Sequence, residues 1–177
     1  MVAILSAHCF PAAAAAGWSA PIQEAQMAGL YFEDFELGQQ FRHALRRTVT
    51  EMDNVLFSTM TLNPQPLHID RHFCETETEW GQPLVNSLFT LGLMIGISIH
   101  ETTLGTTIAN LGMTDVRFPN PLFHGDTVHV ATEVVGKRES RSRPDAGIVE
   151  FEHKAYNQHE TLVAICRRQA FMRRRLD

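Results

Sequence analysis

Asn63-Pro64-Gln65-Pro66-Leu67-His68-Ile69-Asp70 brings side chains able to handle a proton or a water into one short stretch. Its two prolines fix the backbone and deny the donors that a helix needs, which predicts a rigid turn presenting His68 in a preset direction. A histidine held in this way can act as a general acid or base near neutral pH. The competing reading is a histidine that only satisfies a core or surface hydrogen bond. Asn63 has two readings: it can clamp a water or a carbonyl, or it can close the preceding helix, since Asn before Pro is ordinary turn chemistry. Being an amide, it orients a water without taking its proton. Gln65 and Asp70 are orienting candidates. Asp70 can orient His68 or supply a carboxylate, and it can equally cap the helix that follows. His68, Asp70 and His72 imitate a metal-ligand spacing. A two-residue period shares a face only in extended chain, and no cysteine or second histidine pair joins them, so no metal is expected.

Asn86-Ser87-Leu88 is a second candidate group, at the start of an apolar run. Helix N-termini leave backbone N–H groups unpaired, and these can bind a ligand oxygen or simply be capped. Cationic groups occur in three places: Lys137, Arg138, Arg141 and Arg143; the pair Arg167 and Arg168; and Arg173–Arg175. Arginine can grip a phosphate or a carboxylate bidentately. It can also form a solvated edge that discourages strand pairing.

The elements that must position these groups are legible in outline. Thr50-Glu51-Met52-Asp53 has the form of a capping box, so a helix is predicted from there toward Met60, with Val55, Leu56 and Met60 on its buried face. A short second helix is predicted through Arg71–Thr76. Leu84–Ile99 contains no charge and is apolar on nearly every face, which predicts a helix buried all round. At the usual rise it spans about 24 Å, short of a bilayer core of about 30 Å. Gly92 and Gly96 would leave a smooth stripe where a sheet approaches. Val128, Val130, Thr132 and Val134 alternate, as do Val149, Phe151, His153 and Ala155. With Phe41–Val49, Thr106–Phe118 and Thr161–Met172 they predict about five strands. The expectation is α+β: an antiparallel sheet wrapped round one long buried helix at about 84–100.

The chain has 177 residues, with 15 basic and 20 acidic side chains and a net charge of −5. That balance argues against a general nucleic-acid binder. The charge is uneven, because Arg167–Asp177 holds five Arg and one Asp (+4), which leaves −9 on the remainder. Cys9, Cys74 and Cys166 are odd in number and widely spaced, as expected of reduced thiols in the cytoplasm. Residues 1–28 read as a flexible leader or an upstream start ahead of Met27. A signal peptide fits poorly, because no Lys or Arg precedes an apolar stretch that His8 and Pro11 interrupt. The remaining body, 29–177, reads as one domain.

Taken in order, Tyr31-Phe32-Glu33-Asp34-Phe35-Glu36-Leu37-Gly38-Gln39, the Pro64–Asp70 turn, Phe118-Pro119-Asn120-Pro121 and Gly125-Asp126-Thr127 give the body its resemblance. Over Tyr31–Arg174 it resembles a single-hot-dog member of the MaoC-like acyl-CoA hydratase/dehydratase family. The resemblance implies a long helix wrapped by a curved sheet, assembled as dimers with active sites near the interface. It also implies reversible addition of water to a 2-enoyl-CoA. In the family motif, Asp-x-Asn-Pro-Leu/Ile-His, the Asp and His hold and activate the water. His68, Pro66 and Leu67 match, but Gln65 stands at the Asn and Asn63 stands at the catalytic Asp. The family's His-Gly-Met at the central helix corresponds to Asn86-Ser87-Leu88, where a backbone amide would face the thioester carbonyl.

As a set, these substitutions resemble the branch of mesaconyl-CoA and itaconyl-CoA hydratases and β-methylmalyl-CoA dehydratases, which act on short thioesters bearing a second carboxylate. The expected function is therefore hydration or dehydration of a short acyl-CoA, with His68 and Asn63 catalytic. Asn86, Ser87 and Leu88 would bind substrate, and Arg167 and Arg168 would contact the CoA or a carboxylate. No cofactor is expected, since the CoA thioester is the substrate. A cytoplasmic homodimer or higher oligomer is expected, without nucleic-acid or membrane partners. A hot-dog thioesterase and a non-catalytic acyl-CoA-binding subunit of a hetero-oligomer stay open as alternatives, the second because the Asp is missing.

Overall fold

The structure, a computed structural model, describes residues 29–175; the expectation for residues 1–28 lies outside them. Among the described residues six strands form one antiparallel sheet, in the order β1 (Gln40–Arg42), β4 (Thr127–Glu139), β5 (Ala146–Tyr156), β6 (Leu162–Arg173) and β3 (Thr107–Arg117), with β2 (Arg47–Thr48) also paired to β4. The expected strand at Phe41–Val49 is two short pieces, β1 and β2, both lying along β4. Between them the chain turns inward at His43, whose ring is buried against Glu101 and Thr132. Alternation on β4 and β5 holds as read: Val128, Val130, Thr132, Val134, Val149, Phe151, His153 and Ala155 all face inward.

Among the described residues, four α-helices lie with the sheet. α1 (Glu51–Met60) begins at Thr50 with the expected capping box, in which Thr50 Oγ1 accepts from Asp53 N–H and Asp53 answers to Thr50 N–H. Its buried face is a correction. Asn54 and Ser58 are buried, whereas Val55, Leu56 and Met60 are exposed. The helix turns its polar side to the segments that carry the candidate site, so its inward positions serve hydrogen bonds rather than apolar contact. The expected rigid turn winds into a single helical turn, α2 (Pro66–Ile69), with Pro66 at its first position, where a missing N–H costs nothing. α3 (Arg71–Glu77) follows, capped by Asp70 Oδ1 on Phe73 N–H.

The central helix, α4 (Ser87–Thr102), packs Thr90, Met94, Ile97 and Ser98 against the sheet. It is not buried all round. Leu88, Gly92, Gly96 and His100 form an open stripe, and a Cβ placed on either glycine would meet no atom within 4 Å. The sheet approaches the opposite face, where β-branched and long side chains give it something to pack on.

The core has two apolar halves. One gathers Met94, Ile97, Val128, Val130, Val163 and Cys166, and the other gathers Phe32, Phe35, Val134, Phe151 and Met172. A polar seam of Thr132, His153 and Arg168 separates them, one residue from each of three neighbouring strands.

Candidate functional site

His68 is fixed by a ring hydrogen bond. Its Nδ1–H donates to the Leu84 carbonyl at 2.9 Å, so in the neutral ring Nε2 carries the lone pair. Nε2 has no partner among the described residues. The ring is half-buried, which keeps it accessible while restricting its rotation.

Asn54, which sequence reasoning missed, is the hub that ties this histidine to the central helix. It is fully buried on α1. Nδ2 donates to the His68 carbonyl at 2.9 Å and the Leu84 carbonyl at 2.8 Å, and it lies 3.0 Å from His124 Nε2. Oδ1 accepts from Asn86 N–H at 2.8 Å. No sequence signal points to it, because the apolar residues of α1 argue for the other side of the helix facing inward. Burial of an Asn is costly unless its polar groups find partners, and here both ends of the amide do. His124 is reached from here, and burial holds its ring below the ordinary histidine range.

Asn86 is buried and caps α4, its Oδ1 accepting from Leu88 N–H at 3.0 Å and its Nδ2 donating to Ser58 Oγ. That bond occupies the Leu88 amide, and the Leu88 side chain is 60% exposed. The Ser87 and Phe89 N–H groups have no partner among the described residues, so these are the amides at the helix N-terminus open to a ligand oxygen. Beside them lies a cleft of about 240 Å³ formed by Trp80, Leu84, Ser87, Thr90, the Phe118–Leu122 segment and Val163. Its lining holds no charged side chain. The His68 turn meets it through Leu84.

The other sequence candidates divide. Asn63 Oδ1 accepts from Gln65 N–H at 3.1 Å, the bond of an Asx turn, and its Nδ2 has no described partner. Gln65 is exposed at the start of α2, with no side-chain cap bond. Asp70 is exposed and committed to capping α3. Arg167 points outward to Glu152 and Asp115 at 3.3 and 3.8 Å. Arg168 points inward, 4% exposed, with its guanidinium 5.6 Å from the Phe151 ring and its Nε unpaired. Neither lines the cleft.

Residues 34–157 match the family model for the MaoC-like domain. The chain belongs to the MaoC-like family. This MaoC-like chain is 30% identical over 153 residues to a β-methylmalyl-CoA dehydratase of Chloroflexus aurantiacus, covering 83% of this chain and 41% of that protein. It is likewise 30% identical over 154 residues to a mesaconyl-CoA hydratase of Cereibacter sphaeroides, covering 84% of this chain and 42% of that one. Among solved structures, a Mycobacterium tuberculosis protein described as having a double hot-dog fold superposes with a TM-score of 0.76 at 27% identity, over 85% of this chain and 46% of that one. The MaoC-like fold expected from the sequence, α+β and hot-dog, is thus the fold observed. The chain spans about two fifths of the length of these curated relatives.

Proposed function

We propose that this chain catalyses reversible hydration of a short 2-enoyl-CoA. The observation that carries the reading is the His68 ring, locked through Nδ1 with Nε2 bare, on a turn that Asn54 joins to the N-terminus of α4, where the Ser87 and Phe89 amides are open. In hydration, Nε2 takes a proton from water as the water oxygen bonds to C3. The electron pair of the double bond moves onto the thioester as an enolate, which the Ser87 or Phe89 amide stabilises. The imidazolium then gives that proton to C2, directly or through a water, which completes the product and returns His68 to its neutral form; dehydration runs the same steps backward, with His68 protonating the departing hydroxyl. Asn63 Nδ2 orients the water or the carbonyl. The reaction calls on no cofactor.

A C5 dicarboxylic acyl group, as in mesaconyl- or itaconyl-CoA, is the preferred substrate by likeness to the two relatives. The cleft would meet the second carboxylate with neutral donors rather than a cation. The working unit we propose is a homodimer in the cytoplasm, its second copy lying on the open stripe of α4 and the exposed edge of β3. No described helix is long and apolar enough to cross a membrane.

The test is loss of enoyl absorbance across crotonyl-, mesaconyl- and itaconyl-CoA, with His68→Ala beside the wild type. Turnover that falls by about a hundredfold or more in the variant is expected for a lost general base. A wild type inert on every thioester overturns the reading, and release of free thiol instead would assign a thioesterase. Asn63, where the family motif has Asp, keeps one second reading in view: turnover only in complex with another hot-dog chain would make this a binding subunit.

A further inference from the structure

The amide of Asn54 can be oriented without ambiguity. Asn86 N–H can only donate, so it must face Oδ1, at 2.8 Å. The His68 and Leu84 carbonyls can only accept, so they must face Nδ2, at 2.9 and 2.8 Å. The fourth neighbour, His124 Nε2 at 3.0 Å, therefore also faces the NH2 group and shares one of its two hydrogens with a carbonyl in a three-centre bond. It can only accept there, which requires a neutral ring with its proton on Nδ1. Protonation would set N–H against N–H2 at hydrogen-bond distance, beside a fully buried Asn54.

We propose that His124 and Asn54 are a positioning pair for His68, competent only while His124 is neutral. The coupling is short. Asn54 Nδ2 and His68 Nδ1 share one acceptor, the Leu84 carbonyl, so a shift of Asn54 changes the bond that aims the catalytic imidazole. The same amide holds Asn86, and with it the N-terminus of α4. One side chain thereby fixes the base and the amides that face the enolate relative to each other. The groups around the His124 ring are Glu51 and Asp53 of α1, Arg71 of α3 and, on its own turn, Asp126, which is engaged with Phe123 N–H and Gln158. Burial outweighs the two carboxylates of α1, so the ring stays neutral at physiological pH and charges on the acid side.

The kinetic arm of the test rests on the hydro-lyase reading; the spectroscopic arm does not. In His124→Phe the acceptor is gone, and kcat should fall by about ten- to hundredfold with KM little changed. In His124→Gln a carbonyl can accept from Asn54 without titrating, so most of kcat should return and one ionisation should leave the acid limb of the kcat profile. Nitrogen-15 NMR of the full chain should find wild-type His124 with a protonated Nδ1 and a bare Nε2. It should also find His68 ring shifts that move in His124→Phe and hold in His124→Gln. His124 protonated on Nε2 at neutral pH, unchanged His68 shifts in both variants, or a His124→Phe enzyme with wild-type kcat would overturn the proposal. A wild type inert on all thioesters would overturn the assigned reaction and leave the spectra to decide this pair.

Discussion

His153 sits in the polar seam of the core with one polar partner: Nδ1 lies 2.8 Å from Thr132 Oγ1, and Nε2 is buried and unpaired. Burial, with Arg168 and His43 nearby, holds the ring well below the usual histidine range. In the unfolded chain the same ring takes a proton as pH drops through about 6.5. The unfolded state then binds more protons than the native state, so His153 contributes stability above that pH and loses it progressively below. Urea midpoints measured by circular dichroism should fall from pH 7.5 to 5.5, and the fall should be shallower in His153→Gln. His124 leaves a residual slope of the same sign. Asn63 supports a second residue-scale prediction. Asn63→Asp keeps the acceptor for Gln65 N–H, so melting temperature should hold. It also supplies the carboxylate that the family motif carries at this position, which can take a proton as the amide cannot, so kcat should rise by about tenfold or more if the side chain holds the water beside His68. Unchanged kcat would leave Asn63 as turn chemistry alone. The turn that carries His68 and Asn63 was legible because two prolines mark it; the contacts of Asn54 and His124 were not, because they exist only where distant segments meet.

Elements were legible to the extent that local chemistry fixes them. The α1 boundary followed from a capping box, and the inward rows of β4 and β5 followed from period-two alternation. Which side of α1 faces inward did not follow, because its apolar residues suggested a core contact while its actual neighbours are backbone groups of the site. A similar tertiary fact governs the start of the chain body. The short helical turn Phe32–Asp34 lies on β5 with the Phe32 ring over Gly147, where an added Cβ would meet ring carbons at 2.2–2.6 Å. Gly147 is present for that close approach and not for an unusual backbone. Gly147→Ala should therefore lift Phe32 from the strand and cost about 1–3 kcal/mol, the range of overpacked cores. Chemical denaturation measures it directly. Phe32→Ala in the same background should recover part of the loss, since it removes the clash along with the contact.

At the scale of the molecule, the uneven charge seen in the sequence resolves into local pairing. Arg174 meets Glu33 and Glu139, and Arg175 meets Asp34, so the basic end is bound to the acidic start of the same body. What pairing leaves unexplained is apolar. Leu88, Gly92 and Gly96 on α4, Leu111 and Val116 on the edge strand β3, and Met52, Leu56 and Met60 on α1 are exposed in the single chain. Uniform hydrophobicity along Leu84–Ile99 reads as burial within one chain, yet it fits equally a helix covered on one face by its own sheet and on the other by a second copy. Gly96→Lys separates these cases by sign. In a lone chain the new side chain enters open space, and replacing an exposed helical Gly by a good helix former should raise stability by about 0.5–1 kcal/mol. At a packed two-fold face it sets a charge against its own symmetry mate and forces the helices apart. Light scattering coupled to size exclusion should give a dimer for the wild type and a monomer for the variant, with turnover lost while the circular dichroism spectrum stays. A wild-type monomer, or a variant that remains dimeric and gains stability, would take the second copy off this face.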